Sequence, residues 1–278
     1  MTNDLCCIVV LFKPQLSVIK SWQNLVNECN SIFFTFIDNT PEIEICDKNE
    51  IANHLPNYYR LKANCGIAKA QNIGIKVAEK LGVNYIIFFD QDSKPSKDII
   101  FKLKESFCNI SKHEKIAAIG PLIHNLNSKE VTNYYDKEFV EMREIISSGT
   151  ITSMDVIKDI GGMEDTLFID HVDHEWCWRA KSKGYKIMLA TRLNLDHKIG
   201  LSDVTCFGVV LHLTAPIRYF YTFRNRRKLM FRAYVPAEWK RYTIPRTIAM
   251  LILIPLCKGF KGQKWASFSQ AIKGIFAK

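Results

Sequence analysis

The chain has 278 residues, 47% of them hydrophobic, and a formal net charge of +10. It can therefore build a sizeable core, as one large domain with an appendage or as two domains. Its nine scattered cysteines include no C-x-x-C pair. They indicate a reduced, cytosolic chain whose thiols act as small hydrophobes rather than a disulfide framework.

Apolar runs and turn residues predict alternating strands and helices over the first 120 residues. The predicted strands are 5–12, 31–37, 58–61, 85–89 and 116–120. Leu5–Phe12 lacks a preceding basic segment and indicates a first strand rather than a signal peptide. The alternation predicts an α/β fold, with a mostly parallel sheet flanked by helices on both faces.

Amphipathic helices are predicted between these strands. The stripe after Gly66 consists of Ile67, Ala70, Ile73, Val77 and Leu81. Another helix is predicted from Ser96, with Ile99, Leu103 and Phe107 turned inward. Residues 42–57 are predicted to be a loop, and the polar stretch 124–144 is predicted to be an irregular active-site flap. A strand over 185–190 leads to a loop that contains His197.

Acidic residues stand at the ends of two predicted strands. Asp38 follows the strand 31–37, and Asp90 and Asp92 follow the apolar run Tyr85–Phe89. Ligands bind at the carboxyl ends of parallel strands, and two hard oxygen donors there suit Mg²⁺ or Mn²⁺ bridging a diphosphate. An acidic turn is the plainer interpretation of these residues taken alone, because Asp favours turns.

A dense cluster of polar residues begins a later predicted helix. Its acids and histidines are Asp170, His171, Asp173, His174 and Glu175. Part of this cluster is ordinary capping, since the helix dipole favours carboxylates at a helix N-terminus. Three acids exceed what a cap requires, so one of them is a candidate general base near the end of the sheet.

Six short motifs follow one another along the chain. They are Ile37-Asp38-Asn39-Thr40, Asn64-x-Gly66-Ile67-Ala68-x-Ala70-x-Asn72, Phe89-Asp90-Gln91-Asp92-Ser93, Ser147-Ser148-Gly149, Phe168-Ile169-Asp170-x-x-Asp173-x-Glu175-Trp176-x-x-Arg179 and His197-x-Ile199-Gly200. In this order they resemble the inverting family-two glycosyltransferases of the GT-A (Rossmann-like) fold. The branch that they resemble most is the bacterial rhamnosyltransferase-like one.

The resemblance implies a role for each matching residue. Asp38 would contact the pyrimidine ring of a nucleotide-sugar, and the rest of its pocket would be formed by Asn64, Gly66, Asn72, Asp90 and Gln91. A divalent metal, Mg²⁺ or Mn²⁺, would be ligated by Asp92, His197 and Asp90. Asp173 would be the general base, and Glu175 and Trp176 would help to place the acceptor.

The same resemblance implies a reaction. Asp173 would deprotonate an acceptor hydroxyl, which attacks the anomeric carbon opposite the departing nucleoside diphosphate and inverts its configuration in one displacement. The implied donor is dTDP-L-rhamnose. The implied acceptor is a lipid-linked glycan in the synthesis of bacterial surface polysaccharide such as O-antigen. A UDP-sugar carrying galactofuranose, glucose or an N-acetylhexosamine is the alternative donor.

The basic excess is confined to the last quarter of the chain. Residues 216–278 carry 14 Lys and Arg against one acid, Glu238, a net charge of +13, whereas residues 1–215 carry −3. We therefore expect a catalytic domain over 1–215 and a basic, amphipathic helical region over 216–278. The longest apolar run of this region, about ten residues from Ile248, is half the length of a spanning helix.

Aromatic residues interleaved with Lys and Arg are typical of a helix that lies on an anionic membrane. The tail thus predicts a cytoplasmic protein held peripherally on the inner face of the cell membrane, where an acceptor linked to polyprenyl diphosphate would be presented. A solvated helical pair packed on the first domain is one alternative. A non-catalytic nucleic-acid-binding protein is another. No nucleic-acid partner is expected, because no motif for one is present.

Overall fold

A computed structural model describes residues 4–41, 55–125, 135–197, 203–206, 209–260 and 262–277. The strands are β1 (Leu5–Leu11), β2 (Phe33–Asp38), β3 (Tyr58–Arg60), β4 (Tyr85–Asp90), β5 (Ile116–Asn125), β6 (Phe139–Met142), β7 (Ile151–Ser153), β8 (Lys186–His197), β9 (Asp203–Cys206) and β10 (Val209–His212). The α-helices are α1 (Leu16–Glu28), α2 (Ile67–Lys80), α3 (Lys97–Ile110), α4 (Met154–Ile160), α5 (Val172–Ser182), α6 (Pro216–Met230), α7 (Ala237–Leu256) and α8 (Lys264–Phe276).

One mixed sheet contains eight of these strands, in the order β3-β2-β1-β4-β7-β5-β8-β6. Strands β3, β2, β1 and β4 run parallel, as do β5 and β8, while β7 and β6 are antiparallel to their neighbours. The predicted α/β fold with a mostly parallel sheet is confirmed. The carboxyl ends of β2, β1 and β4 lie at the same edge of the sheet, where ligands bind in such folds.

Alternate residues of β1 contribute to two separate apolar cores. Cys7 and Leu11 pack with Trp22 of α1 on one face of the sheet, whereas Cys6 and Ile8 pack with α2 on the other. Successive side chains of a strand point to opposite faces, so a strand that is buried throughout needs helices on both sides. The cysteines in the described part of the chain are free.

Helix α2 packs on the sheet by a different face from the predicted one. Its buried residues are Ala68, Ala70, Gln71, Gly74, Ile75 and Ala78, and Ile73 and Val77 of the predicted stripe are only partly buried. Small residues line the contact because the helix approaches β1 closely. A Cβ atom on Gly74 would lie 2.3 Å from Cγ2 of Ile8. The spacing of large residues does not identify this line of closest approach.

Two predicted loops prove to contain strand residues. The polar stretch 124–144 includes β6, which pairs with β8, while residues 126–134 and 42–54 lie outside the described residues. Strand β8 continues beyond residue 190 to His197, so this histidine ends a strand. The register of β5 against β8 shifts between Pro121 and Leu122. Such an irregularity breaks the alternation from which a strand is predicted.

Replacing Gly74 by Ala should destabilise the protein, because the added methyl group meets Ile8 in the centre of the sheet. Overpacking of this kind costs roughly 1–3 kcal/mol, against roughly 1 kcal/mol that Ala gains over Gly within a helix. Urea denaturation measures the difference. Lys76→Ala, on the exposed side of the same helix, is the control. Equal stability of the two variants would contradict the close contact between α2 and β1.

Candidate active site

The turn after β4 is fastened to its neighbours through Gln91. The backbone carbonyl of Gln91 accepts a hydrogen bond from Nε1 of Trp22 (2.9 Å), and its Oε1 accepts one from the N–H of Phe12 (2.8 Å). The hydroxyl groups of Ser93 and Ser148 lie 2.5 Å apart and hold the other end of the turn. Gln91 therefore braces the turn, and its predicted contact with a nucleotide stays a prediction.

Asp90 and Asp92 lie on either side of Gln91 and are half-buried. The N–H of Lys94 donates to the carbonyl of Asp196 (3.3 Å), so the end of β8 runs beside this turn. Two carboxylates at such a position are the donors that Mg²⁺ and Mn²⁺ prefer. No three metal-ligating side chains come together within the part of the chain that the structure describes. The side chain of His197 lies outside that part.

Asp38 ends β2 and is fully buried. Its Oδ1 accepts hydrogen bonds from the N–H (2.9 Å) and the hydroxyl (2.6 Å) of Thr40, and its Oδ2 accepts one from the hydroxyl of Tyr58 (2.5 Å). Burial and this last bond raise the pKa of Tyr58. Both carboxylate oxygens thus shape the turn after β2, and the predicted contact with a pyrimidine ring stays a prediction.

A pair of asparagines joins the end of β2 to the start of α2. Oδ1 of Asn64 accepts from Nδ2 of Asn39 (2.9 Å) and from the N–H of Gly66 (3.0 Å). Oδ1 of Asn39 accepts from the N–H of Cys65 (2.7 Å). Gly66 has φ 83°, and a Cβ atom there would lie 2.6 Å from the ring of Phe168, so only glycine is accommodated. The predicted pocket residues Asn64 and Gly66 therefore belong to one connected turn.

Asn72 holds the segment that precedes α5. Its Nδ2 donates to the carbonyl of Met163 (2.7 Å) and to Oδ1 of Asp165 (2.5 Å), and its Oδ1 accepts from the N–H of Met163 (2.8 Å). Gly162 passes so close that a Cβ atom there would lie 2.3 Å from Oδ1 of Asn72. The amide is engaged within the protein, and the pocket-lining role predicted for Asn72 stays a prediction.

The loop before α5 has an unusual backbone. Phe168, Asp170 and His171 have φ of 64°, 66° and 63°, in the left-handed region that costs residues other than glycine about 1 kcal/mol or more each. Asp173 follows in the first turn of α5, is half-buried, and accepts the N–H of His174 at Oδ1 (2.9 Å). A small cavity with mainly apolar walls lies beside Asp173, between α5 and the sheet.

Helix α6 supplies the hydrogen-bond donors that hold this loop. Nδ2 of Asn225 lies 2.9 Å from the carbonyl oxygen of Leu167, 2.7 Å from that of Ile169 and 3.0 Å from that of Asp170. Asn225 is fully buried. A buried carbonyl without a donor costs roughly 1–3 kcal/mol. Nη2 of the adjacent Arg224 also donates to the carbonyls of Thr166 (2.6 Å) and Leu167 (2.9 Å), so two neighbouring side chains of α6 hold the loop.

Arg218 of α6 links Asp170 to two other acids. Its Nε and Nη2 donate to Oδ1 of Asp170 (2.9 and 2.7 Å), and the hydroxyl of Thr222 donates to Oδ2 (2.6 Å). Burial disfavours the charge on Arg218, but Asp170, Asp90 and Asp173 outweigh it and raise the pKa of Arg218. Asp90 at the end of β4 and Asp173 at the start of α5 thus face one guanidinium group.

Glu175 and Trp176 fix helix α5 from within. Glu175 is fully buried and accepts two hydrogen bonds from Arg179 (both 2.9 Å) and one from the hydroxyl of Tyr234 (2.6 Å). Nε1 of Trp176 donates to the carbonyl of Gly161 (2.9 Å). These contacts direct both side chains into the protein. Their predicted part in placing an acceptor stays a prediction.

Sequence reasoning gave no site role to Arg218, Thr222 or Asn225. The sequence carries one signal for them, since Arg218 and Thr222 are four residues apart and so share a helix face. Nothing local identifies Asp170 as their partner, because Arg218 follows it by 48 positions.

Replacing Asn225 by Asp should lower both stability and activity. The change keeps the shape of the side chain and the contact of its Oδ1 with Arg224 (3.1 and 3.0 Å). It removes the donors to three carbonyls and places a negative charge against them, at a cost of roughly 1–3 kcal/mol. We expect a lower melting temperature and a loss of enzymatic activity of at least about tenfold. Asn109→Asp, on the exposed side of α3, is the control. Wild-type stability of Asn225→Asp would rule out this role of the amide.

No family model matches the chain. The curated dTDP-rhamnosyl transferase RfbF of Shigella flexneri is 30% identical to it over an alignment of 254 residues, and the match covers 85% of this chain and 83% of that protein.

Solved structures resemble the chain at lower identity. S. aureus TarS matches 91% of the chain with a TM-score of 0.56 and 16% identity, and the chain spans 43% of TarS. TarS 1–349 in complex with UDP-GlcNAc matches 99% of the chain and 82% of its own length, with a TM-score of 0.58 and 14% identity. GalNAc-T7 with UDP, GalNAc and Mn²⁺ matches 97% of the chain and 54% of its own length, with a TM-score of 0.59 and 13% identity. These likenesses concern the fold.

Proposed function

The chain belongs to the rhamnosyltransferase-like glycosyltransferases of the GT-A fold, and from this premise we propose that it transfers L-rhamnose from dTDP-L-rhamnose to a hydroxyl group of a glycan acceptor in bacterial surface polysaccharide synthesis. The observation that carries the proposal is the arrangement of Asp90, Asp170 and Asp173 around Arg218. The choice of donor rests on the relative, a dTDP-rhamnosyl transferase.

Asp90, Asp92 and His197 are the residues that would hold Mg²⁺ or Mn²⁺. Two half-buried carboxylates at the end of a buried strand, with the end of β8 beside them, support this assignment. When bound, the ion would neutralise negative charge on the diphosphate of the donor. The structure of GalNAc-T7 contains Mn²⁺. The assay of this proposal therefore uses Mn²⁺ as well as Mg²⁺.

Asp38, Asn64, Gly66, Asn72 and Gln91 would form the nucleotide pocket. The hydrogen bonds of Asp38, Asn64, Gly66 and Gln91 support a role in shaping the turns at the ends of β1, β2 and β4, and those of Asn72 support a role in holding the segment before α5. Rigid turns of this kind hold a ligand at the carboxyl end of a parallel sheet. TarS 1–349 has been crystallised with UDP-GlcNAc, and a UDP-sugar is the alternative donor for this chain.

Asp173 is the proposed general base of an inverting displacement. Its carboxylate takes the proton of the acceptor hydroxyl while the hydroxyl oxygen bonds to the anomeric carbon. The bond from that carbon to the diphosphate breaks, and its electron pair leaves with the nucleoside diphosphate. Glu175 and Trp176 would place the acceptor indirectly, because their contacts fix the helix that carries Asp173.

The C-terminal helices would attach the protein peripherally to the inner face of the cell membrane, where an acceptor linked to polyprenyl diphosphate is presented. Helix α7 exposes Ile244, Ile248, Ile252 and Leu256 by 49%, 54%, 57% and 61%. Their four-residue spacing makes one stripe, and the charge of +13 over 216–278 would draw it to anionic lipids. Among the described residues, no helix has the length and apolar content needed to cross a bilayer.

Asp173→Asn should lower sugar transfer at least about 100-fold, because the amide cannot accept the proton of the acceptor. The measurement is release of nucleoside diphosphate from dTDP-rhamnose, with lipid-linked acceptor and Mg²⁺ or Mn²⁺ present. Asp98→Asn, on an exposed turn of α3, is the control. Unchanged turnover in Asp173→Asn would exclude this residue as the base.

The same assay separates the donors and tests the metal. If the protein turns over only a UDP-sugar, Asp173 remains the proposed base and the proposed donor changes to that UDP-sugar. Activity that survives a chelator would contradict the metal assignment of Asp90, Asp92 and His197. Absence of turnover with every donor and with lipid-linked acceptor would contradict the enzymatic proposal itself.

Exchanging Ile248 and Ile252 for Asp should release the protein from anionic liposomes. Each exposed isoleucine that enters the membrane interface contributes roughly 1 kcal/mol, so the double variant should bind at least about tenfold more weakly. Co-sedimentation measures the change. Phe101→Asp, an exposed apolar residue on α3, is the control. Equal co-sedimentation of the double variant would show that the stripe is not the attachment surface.

A further inference from the structure

Arg226 is a half-buried arginine that hydrogen-bonds no carboxylate among the described residues. Its Nη1 donates to the hydroxyl of Thr247 (3.2 Å) and lies 3.1 Å from the sulfur of Met250. Its Nε is buried and has no hydrogen-bond partner there. Burial and the neighbouring Arg246 lower the pKa of Arg226 to about 10, against the opposing charge of Asp170. A ligand that accepts a hydrogen bond from this Nε would offset the cost of desolvating it.

Two histidine rings near Arg226 also carry buried nitrogens without partners in the described structure. These atoms are Nε2 of His171 and Nδ1 of His174. The two rings lie 5.8 Å apart, and the ring of His171 packs edge-on against Trp239 at 5.4 Å. Burial, with His174 and Arg226 nearby, lowers the pKa of His171 to about 3, so this ring is neutral at physiological pH. Such unsatisfied polar atoms in one place indicate a missing polar ligand.

The fold brings these groups to the start of α5. Arg218, Thr222 and Arg226 follow one another at four-residue intervals on α6 and therefore share a face. The first two bind Asp170. His171 comes next in the chain and is the residue from which α5 begins, so the positive end of that helix dipole faces the same region. Helix α7 closes the region through its contacts with Arg226 and His171.

We propose that the cluster of Arg226, His171 and His174 binds the phosphate or diphosphate group of the lipid-linked acceptor. The inference rests on the proposed function, in which Asp173 activates that acceptor. A phosphate group supplies a negative charge in direct contact with Arg226 and oxygen atoms that can bond the unpartnered nitrogens. The proposed base Asp173 lies between the two histidines in the sequence, which is why the acceptor is the proposed occupant.

Helix α7 places a second arginine close to this cluster. Arg246 is near enough to lower the pKa of Arg226, and its Nη1 donates to the hydroxyl of Tyr242 (2.7 Å). The exposed apolar stripe lies on another face of α7, because Ile244 and Ile248 are each two positions from Arg246 and residues two apart do not share a helix face.

Titration of the full-length protein with inorganic pyrophosphate, in the presence of a chelator, tests the site without the metal-dependent donor pocket. Arg226→Met should weaken binding at least about tenfold, because a charged hydrogen-bond donor is lost. Arg226→Lys keeps the charge and should stay within about threefold of the wild type. Arg192→Met, an exposed arginine of β8, is the control. Equal affinity of wild type and Arg226→Met would overturn the proposal.

Vesicles identify the source of the phosphate. Phosphatidylcholine vesicles carrying a polyprenyl diphosphate are compared with vesicles carrying phosphatidylglycerol at equal charge. A selective loss of binding to the first kind in Arg226→Met supports the acceptor. An equal loss with both kinds would make the cluster a headgroup site and would overturn the acceptor assignment. These measurements require no turnover, so a failure of the proposed sugar transfer is detected separately.

Discussion

The position of the candidate base depends on one buried amide. Asn225 bonds the carbonyls of Leu167, Ile169 and Asp170, in a loop where Phe168, Asp170 and His171 have positive φ. Each of these conformations is unfavourable for a residue with a side chain, and the carbonyls would be unsatisfied without a donor. The loop keeps this shape because α6 supplies the donors. Helix α5 begins directly after the loop, so the direction in which Asp173 points is set by a residue 52 positions further along the chain.

A second constraint is electrostatic. Asp90, Asp170 and Asp173 come from two separate parts of the chain, and their mutual repulsion would oppose a common crevice. Arg218 offsets that repulsion, and its raised pKa reflects all three acids. Asp170 takes both Nε and Nη2 of the guanidinium, and Asp90 and Asp173 act on the same group through their charges. The charges at the end of β4 and at the start of α5 are therefore coupled through one cation.

The sequence predicts the role of a residue when that role depends on contacts within a single helix, strand or turn. The buried strand β1, the helix that Ser96 caps and the acidic turn after β4 follow from patterns within a single element, and the structure confirms them. Glu175 is a residue whose contacts the sequence does not predict. In the first turn of a helix it resembles a cap or an acceptor contact, yet Arg179 and Tyr234 enclose it. Tyr234 lies 59 positions away, and no local pattern encodes that contact. The family followed from the order of six motifs, whereas the role of Asn225 required tertiary geometry.

The same geometry bears on the basic tail. Charge alone divides the chain at residue 216, but α6 begins there and holds the loop before α5, so its contacts make it part of the candidate site. Helix α8 packs on α6 so closely that a Cβ atom on Gly274 would lie 2.3 Å from the carbonyl oxygen of Phe220. The far side of α8 exposes Trp265 and Phe276. Helices α6 and α8 thus lie between these exposed rings and the loop before α5. The basic tail is therefore a structural support of the candidate site.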